Sequence, residues 1–194
     1  MTTRRIIGIA GCPGSGKSTF AERYADDDPA SRIVVPMDGF HLAQHELRRL
    51  GRSDRKGAPD TFDVDGYVSM LARLRSYTDR VVYAPRFDRH IEEPIANAIG
   101  VEPHHTTIVT EGNYLLLDTG GWERVRPLLD ECWFVDCEYS TRIVRLLTRH
   151  VEHGRTAAEA SAWVQHVDEP NAQLIAPTTT RGCTPTCSSA SPRP

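Results

Sequence analysis

The 194-residue chain contains no apolar run approaching the roughly 20 residues that a membrane-spanning helix needs. Near its start, Ile6 and Ile7 are cut short by Gly8, too brief a stretch for the apolar core of a signal peptide. The expectation is a cytoplasmic protein with no membrane partner. Positive charge is not in surplus: 23 Lys and Arg face 26 Asp and Glu, a formal net charge of -3. A footprint for a nucleic-acid backbone is therefore missing, and no nucleic-acid partner is expected. Cysteine is scarce and odd in number, five in all, which argues against a disulfide framework. Neither Cys132 with Cys137 nor Cys183 with Cys187 has Cys-x-x-Cys zinc spacing. His41 with His45, and His150 with His153, share helical spacing of a kind more common on surfaces than at metals, so no structural metal is expected. What is present, 39% hydrophobic and 25% charged residues, suffices for one domain that folds unaided.

Short apolar runs alternate with helical patterns. Strands are predicted over 6–10, 33–35, 81–83, 107–109 and 133–135. Helices are predicted over 18–24, over a stripe of Tyr67, Met70, Leu71 and Leu74 capped by Asp63 or Asp65, over 141–153, and over 157–167 with a stop near Pro170. Residues 51–59 are polar, basic and loop-like. This alternation points to a three-layer α/β/α domain with a mainly parallel sheet, spanning residues 1–176. Such sheets bind ligands beyond the carboxyl ends of their strands, where Asp38, Glu111 and Asp136 fall. The segment 177–194 is Thr, Ser and Pro with two Cys and no large apolar residue, and it is expected to be disordered.

The most specific signal lies between the first strand and the first helix. Gly11-Cys12-Pro13-Gly14-Ser15-Gly16-Lys17-Ser18 matches G-x-x-x-x-G-K-[ST], with Thr19 following. Glycines let the backbone wrap so that successive N–H groups point at phosphate oxygens, and the helix adds its positive end. Lys17 is expected to reach the β- and γ-phosphates, and Ser18 to ligate Mg²⁺. ATP and Mg²⁺ are the expected cofactors. A dinucleotide fingerprint fits worse, because the glycines fall as G-x-x-G-x-G. The guanine-reading N-K-x-D is absent.

Asp38 ends the second strand in Met37-Asp38-Gly39-Phe40-His41, where a carboxylate is suited to taking a hydroxyl proton or merely to capping a turn. Arg142, Arg145 and Arg149 stand at i, i+3 and i+7 and share one helix face, which costs stability unless an anion meets them. Lys56, Arg86 and Arg89 hint at an anionic group on a bound acceptor, although basic loops also serve solubility.

The P-loop, the Asp-Gly-Phe-His at residues 38–41 and the Glu111-Gly112 after Ile108-Val109 together resemble the phosphoribulokinase/uridine kinase family, which includes bacterial pantothenate kinases. The runs Arg55–Asp63 and Ala84–Arg89 resemble its nucleoside- or sugar-kinase-like bacterial branch. The likeness spans residues 5–175 and implies a P-loop NTPase fold with a helical lid. By resemblance, Asp38 is the general base and Glu111 holds Mg²⁺, with Asp136 as the competitor for that role. His41, Tyr83, Arg86 and His90 line the acceptor pocket, Arg145 and Arg149 are lid arginines, and Asn171 sits near the adenine. The implied activity is transfer of the γ-phosphoryl group of ATP to a hydroxyl of a nucleoside such as uridine, of pantothenate, or of a sugar or sugar phosphate. A homodimer stays open. The rival readings are an ATP-binding or ATP-hydrolysing regulator with no acceptor, and a metal-dependent nucleotide hydrolase.

Overall fold

The computed structural model describes residues 4–180 and 184–187. Strand β1 (Arg5–Ala10) leads through the Gly-rich loop into α1 (Lys17–Asp26), and β2 (Arg32–Val34) follows. A 3-10 turn at Met37–Phe40 precedes the short α2 (Gln44–Arg49), and α3 (Val64–Ser76) follows. A hairpin of β3 (Val82–Asp88) and β4 (Glu93–Val101) comes next, then β5 (Thr107–Gly112) and β6 (Glu131–Asp136). The chain continues through α4 (Tyr139–Glu152), α5 (Ala157–Trp163) and α6 (Glu169–Ile175) to β7 (Thr184–Cys187).

The main sheet has five strands in the order β2-β5-β1-β6-β7, all pairs parallel. Because strand side chains alternate, β1 feeds two layers. Ile9 packs with Ala21 of α1, Val109 and Val135, while Ile6 and Ala10 join Leu71 and Leu74 of α3 with Ile108 and Phe134. Helices thus cover both faces, the expected three-layer α/β arrangement. Each buried aliphatic side chain contributes about 1.5–3 kcal/mol of the force holding the layers together. Strands with two buried faces need continuous apolar runs, which is why β1, β5 and β6 are visible in the sequence.

The α3 stripe is as expected: Tyr67, Met70, Leu71 and Leu74 are all buried. Of the two capping candidates, Asp63 accepts from the Gly66 N–H at 2.8 Å, while Asp65 pairs outward with Arg124.

The hairpin differs from expectation. A single strand was predicted at 81–83, but β3 runs to Asp88 and pairs antiparallel with β4, a nine-residue strand that the sequence pattern missed. The middle of β4, residues 95–98, is exposed; only Ile99 and Val101 reach the core, and Pro94 and Gly100 dilute its strand signal.

The last helix also differs, since it does not stop near Pro170. A π-turn at Val164–Asp168 passes directly into α6, and Pro170, which has no N–H to give the preceding turn, sits where the helix leaves π-type spacing. Within the segment expected to lack order, the structure describes a 3-10 stretch at Ala176–Thr180 and β7 alongside β6. A backbone ladder needs no apolar side chains, so composition did not reveal it. Residues 181–183 and 188–194 lie outside the described residues. Cys12 and Cys137 are free thiols. Cys132 is disulfide-bonded, which the odd count of five cysteines did not foretell.

Candidate active site

The Gly-rich loop closes with Ser15 N–H donating to the Cys12 carbonyl at 3.0 Å. Gly16 caps α1 at φ 94°, a left-handed conformation that a side chain would strain. The loop therefore ends with the free N–H groups of α1 directed at its rim. Lys17 is buried, with its Nζ 4.0 Å from Oε2 of Glu111 at the end of β5. Ser18 hydrogen-bonds the same carboxylate. Burial, with help from Asp38, pushes the Glu111 carboxyl above its ordinary range despite Lys17 and Ser18. Asp136 stands apart at the end of β6, exposed, and accepts from the Cys137 N–H at 2.9 Å. Glu111, not Asp136, is the acid beside the P-loop lysine.

Asp38 projects from the 3-10 turn after β2. Its placement depends on Gly39, where a Cβ would come within 2.5 Å of the Pro85 carbonyl oxygen, so the turn lies flush against β3. Arg89, at the hairpin tip, donates to Asp38 Oδ2 at 3.0 Å. Burial pushes the Asp38 carboxyl up, but His41, Arg89, Lys17 and Arg149 together hold it below the usual carboxylate range. His41 itself is driven toward its neutral form by burial, so the lasting pull comes from Arg89, Lys17 and Arg149. The His41 Nδ1–H donates to the Asp38 carbonyl at 2.7 Å, which fixes the ring between Phe62 and Phe87.

The arginine face of α4 turns toward the P-loop. Arg142 is buried, donates to the Pro13 carbonyl at 3.3 Å, and forms an ion pair with Glu169. Arg145 donates to the Ser15 carbonyl at 3.1 Å. Arg149 lies 3.9 Å from Asp168, whose other oxygen accepts from His150 Nε2 at 2.7 Å. These contacts are the anions and carbonyls that offset the like charges on one face.

Two cavities flank the loop. The smaller, about 280 Å³, is lined by Cys12, Ser15, Cys137, Tyr139, Arg142 and Gln173 among others. Ser15 Oγ is buried here without a hydrogen-bond partner. The larger, about 330 Å³, brings together Lys17, Ser18, Asp38, His41, Arg149 and Asn171. Asp38 also borders a third hollow, with Arg86 and Glu111, on the side of α1 and β2.

Most expected site residues thus converge: Gly11 to Thr19 as the loop and the start of α1, Asp38 and His41 beside it, Glu111 behind it, and Arg145 and Arg149 above it. Three lie outside the cavity that holds Asp38 and Lys17, and of these Arg86 borders the third hollow. Tyr83 is 54% exposed on β3, and His90 is exposed at the hairpin tip, so neither lines the cavity that holds Asp38 and Lys17. Both follow from the hairpin that the sequence pattern missed: alternation along β3 turns Tyr83 outward. Asn171 lines the larger cavity and donates to the Gly57 carbonyl at 3.3 Å. Arg89 and Asp168 were not singled out as site residues. Arg89 was visible only as one of several basic loop residues, and only its tertiary partner distinguishes it.

No family model matches the chain. It is 39% identical over 168 residues to a Schizosaccharomyces pombe protein named "Putative uridine kinase", covering 82% of this chain and 72% of that one. It is 32% identical to a protein named "Uridine kinase" from Halalkalibacterium halodurans, covering 89% and 81%. A crystal structure of a "putative fructose transport system kinase" from Silicibacter sp. superposes with a TM-score of 0.83 at 35% identity, covering 91% of this chain and 86% of that one.

Proposed function

Because the chain belongs to the phosphoribulokinase/uridine kinase family and is an ATP-dependent phosphotransferase acting on a small molecule, we propose that it phosphorylates a hydroxyl with Asp38 as general base. The observation that carries this reading is Asp38 sharing one cavity wall with Lys17 and Ser18 while Arg89 keeps its carboxylate ionised. An ionised carboxylate beside the phosphate cradle is what a hydroxyl acceptor needs and what a nucleotide-binding regulator does not. Asp38 takes the acceptor's proton as the hydroxyl oxygen bonds to the γ-phosphorus; the bond from that phosphorus to the bridging oxygen breaks, and ADP leaves. Lys17 and the α1 N-terminus offset charge on the phosphates, and Arg145 and Arg149 approach from α4.

The residues present fit Mg²⁺. Among the described residues no cluster of three or more His, Cys, Asp or Glu forms a cage. A Mg²⁺ held by one or two protein oxygens, phosphates and water requires none, and the hydrogen-bonded pair Ser18 and Glu111 supplies such oxygens. Ser18 and Glu111 would hold Mg²⁺, which would supply positive charge to offset that of the phosphates. Candidate acceptors are a nucleoside such as uridine, pantothenate, and a sugar or sugar phosphate. Among the described residues no helix is long and apolar enough to cross a membrane, and a cytoplasmic enzyme is the reading we keep.

Asp38→Asn is the test. ATP affinity, measured by calorimetry, is expected to stay within a few-fold of the unmodified protein, while phosphoryl transfer falls by about 10²–10⁴-fold. Undiminished transfer rejects Asp38 as the base.

A further inference from the structure

The three basic residues that hinted at an anionic acceptor lie in distinct environments. Arg86 borders the third hollow and not the larger cavity. Arg89 is committed to Asp38. Lys56 remains, half-buried on the loop between α2 and α3, with no carboxylate within ion-pair distance among the described residues. Its ammonium donates to the Glu92 carbonyl and reaches the Gln44 amide oxygen at 3.5 Å, both uncharged. An ammonium has three N–H donors, so one is left.

The surroundings of Lys56 have the same character. Ser53 and Asn113 both line the larger cavity, as Lys56 does, and Ser53 Oγ and Asn113 Oδ1 are buried atoms with no hydrogen-bond partner. Buried polar atoms are rarely left unpaired, and an unpaired one costs about 1–3 kcal/mol. Here a cation, a hydroxyl and an amide oxygen are left unmatched in one cavity. Lys56 and Arg89 also flank one ring: Lys56 Nζ is 5.2 Å and the Arg89 guanidinium 5.9 Å from the centre of Phe87. Since Arg89 holds Asp38, that ring spans the space between the proposed base and the free cation. The loop is held down over the cavity by Tyr114 and Asn171, which both donate to the Gly57 carbonyl.

We propose that Lys56, with Ser53 and Asn113, forms a subsite for a carboxylate or phosphate on the acceptor, so that the substrate is an acidic polyhydroxylated molecule and not a neutral nucleoside or sugar. The inference rests on the kinase reading above. Lys56 and Ser53 donate to the anion, Asn113 Oδ1 accepts from a neighbouring hydroxyl, and the hydroxyl to be phosphorylated lies across Phe87 at Asp38. Burial lowers the Lys56 ammonium's affinity for its proton despite Glu93 and Glu92, the behaviour of a cation that lacks a close anionic partner.

The experiment compares uridine and fructose with glycerate, gluconate, pantothenate and ribose 5-phosphate. Coupled ADP release measures transfer, and calorimetry with a non-hydrolysable ATP analogue measures binding. The expected result is turnover of an acidic compound with kcat/KM at least about tenfold above the neutral ones, the scale of one hydrogen bond to a charged group. Lys56→Ala should then raise its KM by about tenfold or more with kcat nearly unchanged, and Lys56→Arg should restore part of the loss. The carboxylate and phosphate members of the panel separate the two anion sources. Turnover of a neutral compound as good as any acid, and indifferent to Lys56, overturns the subsite and leaves the kinase reading standing. Acid binding that Lys56→Ala abolishes, without transfer, does the reverse. No binding of any acidic member overturns the subsite.

Discussion

The two cavities beside the P-loop are built by opposite strategies. The smaller cavity, which we assign to the nucleotide, draws its walls from the P-loop, the end of β6, the start of α4 and α6; its cation Arg142 is paired with Glu169, and Ser15 Oγ alone among its buried polar atoms is left without a partner. The larger cavity, which we assign to the acceptor, is assembled from six stretches, at residues 13–18, 38–44, 53–62, 87–92, 113 and 149–171, and its polar groups are only partly matched. A cavity for a ligand common to many enzymes is completed by backbone and local pairs. One for a particular acceptor leaves donors and acceptors open for that ligand to satisfy.

The comparison breaks first at Arg142, where the largest effect is expected. Arg142 is 6% exposed and ties α4 to the P-loop and to α6, so Arg142→Ala leaves Glu169 without its cation. Removing one partner of such a pair costs about 3 kcal/mol, the low end of the range because Glu169 keeps some solvent contact. Urea unfolding should show this loss together with weakened ATP binding. A change within about 0.5 kcal/mol, ordinary for a surface site, means the nucleotide side is not held by its matched charges.

Arg89→Ala probes the other cavity with a smaller effect. The general base works when deprotonated, so activity is present above the Asp38 pKa and lost as pH falls through it. Burial favours the protonated form and Arg89 opposes it; without Arg89 the acid limb of kcat/KM moves to higher pH. The loss should reach about tenfold in the acid range, the scale of one hydrogen bond to a charged group, and shrink toward alkaline pH. A uniform loss across pH means that Arg89 acts on acceptor binding and not through Asp38.

The same contrast explains what the sequence made legible. The P-loop was readable because its function is backbone geometry encoded within eight consecutive residues, and β1, β5 and β6 because burial on two faces leaves unbroken apolar runs. The arginine face of α4 was readable from helical periodicity alone. Arg89 was not, since nothing within four residues distinguishes it from Arg86, and its partner lies 51 positions away. The hairpin was half missed, and with it the reason that alternate β3 residues point apart.

Tyr83 gives the smallest effect and the sharpest reading of the acceptor wall. The family resemblance put it in the pocket, whereas β3 directs it to solvent at 54% exposure, away from the cavity of Asp38 and Lys17. An exposed side chain of this kind changes stability by no more than about 0.5 kcal/mol when truncated. Tyr83→Ala should accordingly leave the acceptor KM within about twofold, well below the tenfold that one lost charged contact produces. A tenfold rise measured in steady-state kinetics would mean that the hairpin rotates its outer face inward when the acceptor binds. The acceptor wall would then include residues that the ligand-free arrangement holds apart, and the contrast between a completed nucleotide side and an open acceptor side would be one of motion as well as of matched charge.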